Sequence, residues 1–254
     1  MDRDVRRGGR GSGRQSHPWF ASWYPRAAAA DDRSGFARYR VRLLAGLSGE
    51  VVEIGAGSGL NFSYYPDEVT RIIAVEPEPR LRELARAAAQ DSESIGAPHG
   101  SGASEPQTQP QPQTQPQLRS RPRPRFRVIA GLAQDLPLPD GSVNAAVISL
   151  ALCSVPDQAA ALTEIRRVLR PGGEFRFLEH VRAGSGAAAL AQRTLDVTVW
   201  PLIGAGCHCA RETERAIAAA GFEVKDVERF RFPNSRMAVR PTAPHIVGSA
   251  IRPQ

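Results

Sequence analysis

Lysine is nearly missing from this chain: Lys225 stands alone among 33 basic residues, and the rest are arginine. Cysteine is scarce and odd in number, Cys153, Cys207 and Cys209, which argues against a disulfide framework and for a reducing cytoplasm. Long hydrophobic runs are absent as well. Nothing reaches the roughly 18 apolar residues that a membrane-spanning helix needs. The most apolar stretch, LDVTVWPLIGAG, is short and carries Asp196. Residues 1–17 hold Arg and Gly around no apolar centre, unlike a secretory signal.

The formal net charge is +7, so a nucleic-acid partner has to be considered. Its location decides against one. Five Arg face two Asp in residues 1–17, and five Arg face Asp91, Glu93 and Glu105 in residues 90–127. The remainder is close to balanced, and no nucleic-acid-binding motif accompanies the basic segments. No nucleic-acid partner is expected, and the arginine usage fits codon bias. The sequence names no oligomeric state.

With 254 residues, the chain suits one large α/β domain with tails. Residues 1–17 read as a disordered arm, followed by a domain over 18–254. The Pro-bounded aromatic stretch PWFASWYP, 18–25, is expected to pack on another element or to act as a lid. Phe36, Tyr39, Leu43 and Leu47 recur at helical spacing, closed by Gly46 and Gly49. Strands are expected over 50–54, 70–76, 125–131, 143–152 and 173–181. Helices are expected after the glycine loop and over 79–89, 157–170 and 211–222. Residues 223–232 and 244–251 pair as terminal strands. This alternation implies a doubly wound, mostly parallel sheet with both faces covered. Residues 91–124, built around PQTQPQPQTQPQ, interrupt it as a low-complexity insertion with polyproline character or a PxxP ligand.

The segment VVEIGAGSG, 51–59, places three glycines directly after a β-branched run. Gly55 and Gly57 have no Cβ, so a ligand can touch the main chain, and Gly59 lets the next element approach. The position is the carboxyl edge of the sheet, where open α/β folds bind ligands. A dinucleotide loop would read G-x-G-x-x-G around a pyrophosphate. Here the spacing is tighter, and Glu53 would repel phosphate but suit an ammonium group. Glu76 ends the second strand, 17 residues past Gly59, where a carboxylate can accept both ribose hydroxyls. S-adenosyl-L-methionine, which has an amino group, a sulfonium and no phosphate, fits this pair of carboxylates.

The successive segments VVEIGAGSG, IIAVEPEPRLRELA, DLPLPDGSVNAAVISLALCSV and EIRRVLRPGGEFRFLEHV resemble the motifs of class I S-adenosylmethionine-dependent methyltransferases. The resemblance covers residues 35–90 and 125–232. GLNFSYYP, LCSV, FLEHV, GCHCARETERAIAAAGF and VRPTAPHIVGSAIR are similar to the thiol S-methyltransferase (methyltransferase-like 7) branch and its bacterial relatives. The family fold implies seven strands with the last antiparallel. Eukaryotic members carry an apolar N-terminal membrane anchor, and this chain carries the Arg/Gly arm in its place.

The resemblance implies that Gly55, Ala56 and Gly57 line the methionine moiety, with Glu53 near its amino group and Asn61 opening the following helix. Glu76 would hold the ribose, Pro77 would lie against the adenosine, and Ala133 and Gln134 would border the adenine. Ser149, Leu150 and Ala151 would floor the pocket near the sulfonium. Two departures are visible: Leu132 stands where many members carry an adenine-contacting acid, and Asn144 replaces a common Asp. His180, at the carboxyl end of the fifth strand, and His208 are the candidate catalytic bases, with a structural role for His180 the alternative. The run Cys207-His208-Cys209 lacks zinc-site spacing, so no metal is expected. Trp200 and Pro201 would wall the acceptor site. The expected activity is methyl transfer to a small, apolar acceptor, by resemblance a thiol. The alternatives are C- or O-methylation of a quinone, sterol or polyketide, and cofactor binding without catalysis.

Overall fold

The computed structural model describes residues 17–94, 124–184, 186–233 and 241–254. Most of the expected arm and of the 91–124 insertion lies outside the described residues. Both boundaries move where the structure reaches them. His17 is placed, its N–H donating to Glu78 Oε2 at 2.7 Å. Residues 91–94 continue a helix, and Glu93 Oε1 accepts the N–H of Phe126 at 3.0 Å.

The sheet is built from β1 (Gly49–Ile54), β2 (Val69–Val75), β3 (Arg125–Ile129), β4 (Val143–Ser149), β5 (Leu169–His180), β6 (Glu223–Arg231) and β7 (Pro244–Ile251), in the order β3-β2-β1-β4-β5-β7-β6. β1 pairs parallel with β2 and β4, β2 with β3, and β4 with β5. β7 alone runs antiparallel, to β5 on one side and β6 on the other. The helices are α1 (Pro18–Asp31), α2 (Ala37–Leu44), α3 (Pro79–Ser94), α4 (Gln158–Val168), α5 (Gly186–Asp196), α6 (Trp200–Ile203) and α7 (Thr213–Ala219).

Strand alternation sorts the core into two layers. Val52, Ile54, Ile148, Phe175 and Phe177 face α4 and α7, meeting Leu162, Ile165 and Ile217. Val51, Ile72, Ala74 and Val147 face α2 and α3, meeting Leu43, Leu44, Ala85 and Ala89. The inner strands β1 and β4 are buried on both faces over most of their length, as doubly covered strands must be, whereas the edge strand β6 mixes exposed and half-buried residues. Asp157 caps α4, accepting the N–H of Ala160 at 2.9 Å.

Several expected elements differ. No long helix follows the glycine loop; the chain makes only a 3-10 turn, Phe62–Tyr64, with Asn61 at its start. The helix packed near the loop is α3, after β2. The strand expected over 143–152 stops at Ser149, because Leu150 turns into left-handed backbone at φ +55°. The helix expected over 211–222 shortens to Thr213–Ala219. Pro171, Gly172 and Gly173 sit inside β5 at a register shift: pairing with β4 breaks after Leu169 and resumes at Glu174. The aromatic stretch 18–25 is the first half of α1, with Pro18 in the first turn, where its missing N–H costs nothing. A wide turn, Asp32–Phe36, joins α1 to α2 and is broken by Gly35 at φ +105°.

Candidate functional site

The carboxyl ends of β1, β2 and β4 converge on a cavity roofed by α1. Gly55, Ala56, Gly57, Glu53, Asn61, Glu76, Pro77, Ala133, Gln134, Ser149, Leu150 and Ala151 all line it. Gly55 and Gly57 have φ of +69° and +58°, conformations that side chains strain to adopt. A Cβ on Gly55 would lie 2.5 Å from the Ala151 methyl, so this turn can touch β4's exit only as glycine. A Cβ on Gly57 would meet nothing within 4 Å. Gly59 does not line the cavity. Its Cβ would lie 2.9 Å from the Ala88 methyl, so its role is to admit α3.

Glu76 is buried and organises the loop. Its Oε2 accepts the N–H of Gly57 at 2.7 Å, and its Oε1 accepts that of Glu78 at 2.9 Å. Burial pushes its pKa up, and the two N–H groups oppose that rise. Each oxygen keeps a lone pair for a ligand. Glu53 is deeper still. It accepts from Asn61 Nδ2 at 2.9 Å and from the Tyr65 hydroxyl at 2.8 Å. Burial raises its pKa to about 7 against those two hydrogen bonds.

Arg40, on α2, completes this network and is only 4% exposed. Its Nε pairs with Asp32 at 2.9 Å, and its Nη1 donates to Asn61 Oδ1 at 2.9 Å. Sequence reading passed over it, because Arg38, Arg40 and Arg42 look alike in a row and only the packing tells which is buried. His17 was likewise not foreseen as cavity wall, whereas Phe20 and Tyr24 come from the aromatic stretch expected to pack on another element or to act as a lid.

A second cavity continues from the first, and Phe20, Tyr24, Arg40, Leu150 and Ser154 line both. Phe20 and Tyr24 stack with ring centroids 4.5 Å apart. Trp23, Ala27, Trp200, Ile203, Phe232 and Pro233 give the second cavity an apolar wall. Its floor is the turn after β4, held from two sides. Glu179, fully buried, accepts the N–H groups of Ala151, Leu152 and Cys153 at 3.0, 2.9 and 3.2 Å. Arg211 donates to the carbonyls of Leu152 and Val155, both at 2.6 Å. Together these hold Leu150 in its left-handed conformation.

His180 lines the second cavity beside Cys153 and Cys207. The hydrogen bond between the two thiols pushes Cys153 up, together with burial, and pushes Cys207 down, together with its hydrogen bond to Cys209 and against burial. His245 packs 4.7 Å from His180, ring to ring, and its Nδ1–H donates to Ala243 O at 2.8 Å. Burial, and then the nearby His180, lower the His245 pKa to about 3, so its ring is neutral. His208 is not brought to the site. It lines neither cavity, and its Nδ1 turns to Gly206 O at 2.8 Å. The Cys207-His208-Cys209 run is therefore split: Cys207 faces the cavity, and Cys209 is fully buried beside it. Trp200 lines the second cavity, and Pro201 does not.

The first cavity offers a main-chain cradle and the carboxylates of Glu53, Glu76 and Glu78, and among the described residues its one lining arginine, Arg40, is paired with Asp32 rather than free to hold a phosphate. A small cationic nucleoside fits this donor set. Residues 52–177 match the family model described as a methyltransferase domain. The chain is 32% identical over 216 residues to the thiol S-methyltransferase TMT1B of Homo sapiens, covering 84% of this chain and 75% of that protein. It is 46% identical over 74 residues, 29% of each chain, to the ubiquinone/menaquinone biosynthesis C-methyltransferase UbiE of Caulobacter vibrioides. Among solved structures, geranyl diphosphate methyltransferase in complex with SAM shares the fold with a TM-score of 0.57 at 15% identity, over 86% of this chain and 85% of that one.

Proposed function

Since the chain belongs to the class I S-adenosylmethionine-dependent methyltransferases, alongside the thiol S-methyltransferases, we propose that it methylates the sulfur of a small, apolar thiol. S-adenosylmethionine, when bound, supplies a methyl group activated by a sulfonium. Gly55, Ala56 and Gly57 would hold its methionine part, with Glu53 serving the amino group. Glu76 would take the ribose hydroxyls, Pro77 would lie against the adenosine, and Ala133 and Gln134 would border the adenine.

The observation that carries the acceptor reading is the continuity of the two cavities through Leu150 and Ser154, with a mostly apolar second chamber behind them. Phe20 and Tyr24 close the junction from above and keep water from it. The chain's contribution to rate is then to hold the acceptor sulfur in line with the methyl carbon and to exclude solvent. Among the described residues lining both cavities the cation is Arg40, and it is paired with Asp32 and Asn61. Thiols ionise near pH 8.5, so a modest stabilisation of the thiolate suffices. His180 is the polar group at hand. Three unpaired cysteines suit a reducing cytoplasm.

Incubation with an alkyl thiol and, separately, a hydroxyquinone tests this reading. A thioether product is expected from the first. Transfer to the quinone alone would establish the second reading, C- or O-methylation, which the likeness to the C-methyltransferase over 74 residues favours.

A further inference from the structure

Cys153, His180 and Cys207 reach one point from three separate elements: the turn after β4, the end of β5 and the loop before α7. Their donor atoms form a nearly equilateral triangle. The two Sγ atoms are 3.6 Å apart, and His180 Nδ1 lies 3.6 Å from Cys153 Sγ and 3.8 Å from Cys207 Sγ. A tetrahedral zinc ion, with Zn–S about 2.3 Å and Zn–N about 2.0–2.1 Å, demands an S–S edge of about 3.8 Å and S–N edges of about 3.6 Å. The triangle meets those edges within about 0.2 Å.

The cluster is open on one side. Among the described residues these three form the group whose donors converge, with no fourth protein ligand in it. Cys209 is fully buried and not a member. All three members line the second cavity. Three protein ligands with a fourth corner facing a cavity is the pattern of a reactive zinc, whereas structural zinc is closed by four. Charge supports the same choice. Two thiolates and a neutral imidazole cancel the ion's charge, so a thiolate taken at the open corner makes the centre anionic, which favours its attack on the methyl of a sulfonium.

We propose that Cys153, His180 and Cys207 hold a zinc ion whose fourth position takes the acceptor's sulfur as a thiolate. The second half of this proposal rests on the thiol reading above; the first does not. As the zinc–sulfur bond forms, the thiol proton leaves to solvent water. The bound sulfur then shares an electron pair with the methyl carbon, forming the new carbon–sulfur bond. The old carbon–sulfur bond breaks, and its pair returns to the sulfonium sulfur, which becomes neutral. The thioether product is a weak, neutral ligand and departs. Glu179 is a positioning residue: through three N–H groups it fixes the backbone that carries Cys153.

The full chain, purified with a reductant, stripped with a chelator and titrated with Zn²⁺ or Co²⁺, tests the site. One equivalent should bind, and the Co²⁺ form should show thiolate-to-cobalt charge transfer. Cys153→Ser, His180→Ala and Cys207→Ser should each weaken binding at least about tenfold. Cys209→Ser, folded by thermal melting, should keep it. Folded protein that takes no metal, equal binding by Cys207→Ser, loss of the metal in folded Cys209→Ser, or a Cys153–Cys207 disulfide in reductant-purified protein overturns the site. Adding hexanethiol should shift the cobalt spectrum, and stripping should cut thiol methylation at least about tenfold, restored by Zn²⁺. Undiminished thiol methylation by the stripped protein overturns the catalytic role. One equivalent of metal with neither a spectral shift nor thioether formed upholds the site and overturns the thiol.

Discussion

The two connected cavities are built by different means. The first is made mainly from short segments at the ends of four parallel strands, β1 to β4, and its polar contacts are mostly main chain and carboxylate. The second is made from side chains that arrive from both ends of the sequence: α1, the turn after β4, α6 and the loops around β6 and β7. The first therefore has a local signature and the second has none. The turn at 150–153 is the floor they share, which makes it the place where a single change should damage both.

Glu179→Ala tests that shared floor and should have the largest effect. It leaves three buried N–H groups without a partner, a loss of about 3 kcal/mol or more. A fall in denaturation midpoint, together with loss of both cofactor binding and turnover, is expected; a cofactor affinity like the parent's would show the two cavities to be independent.

Glu76→Ala should act on the first cavity alone. It removes a ligand acceptor and frees the N–H groups of Gly57 and Glu78. Calorimetry with S-adenosylhomocysteine should show affinity weaker by about 1–3 kcal/mol. Unchanged affinity would contradict the ribose assignment.

The next test is pH. Glu53 titrates at about 7 because it is buried, well above its ordinary 4.5. The folded chain thus holds a proton that the unfolded chain releases. The resulting stability is complete below about pH 4.5 and is lost as pH rises through about 7. The melting temperature should fall across that window, and less so in Glu53→Gln. Binding of the cationic cofactor should do the reverse, tightening as pH rises through about 7, with the variant's profile flat.

Trp23→Ala should give the smallest change. Trp23 lines only the second cavity and is partly exposed, so the Michaelis constant for an alkyl thiol should rise a few-fold, about 1 kcal/mol, with cofactor affinity unaltered. A matching loss of cofactor affinity would mean that α1 closes both chambers as one lid.

The same contrast sets what was legible in the sequence. β1, β2, β5 and the glycine turn were readable because each combines an apolar run with a nearby breaker. So were Glu53 and Glu76, since a charge at the end of a buried strand stands out. The long helix after the glycines was misread because the loop carries αβ chemistry but the chain spends it on a 3-10 turn before β2. Leu150 ended β4 early for a tertiary reason, the grip of Glu179 on the next three residues. His208 was misjudged for the same cause: its neighbour Cys207 turns into the cavity, and alternation carries His208 away. Arg40 and the Cys153–His180–Cys207 convergence depend on residues 8 to 109 and 27 to 54 positions apart, and no local pattern announces such partners.

β7 follows β6 in the chain yet lies between β5 and β6 in the sheet. While a ribosome is still making residues 244–251, β6 has no sheet edge to join, and the imidazole of His245 is not yet beside that of His180. The first cavity, which no residue beyond Ala205 lines, can thus form earlier in synthesis than the second, which needs Phe232, Pro233 and His245. On the proposed function, nascent chains would acquire a grip on the donor before they acquire anywhere to deliver it.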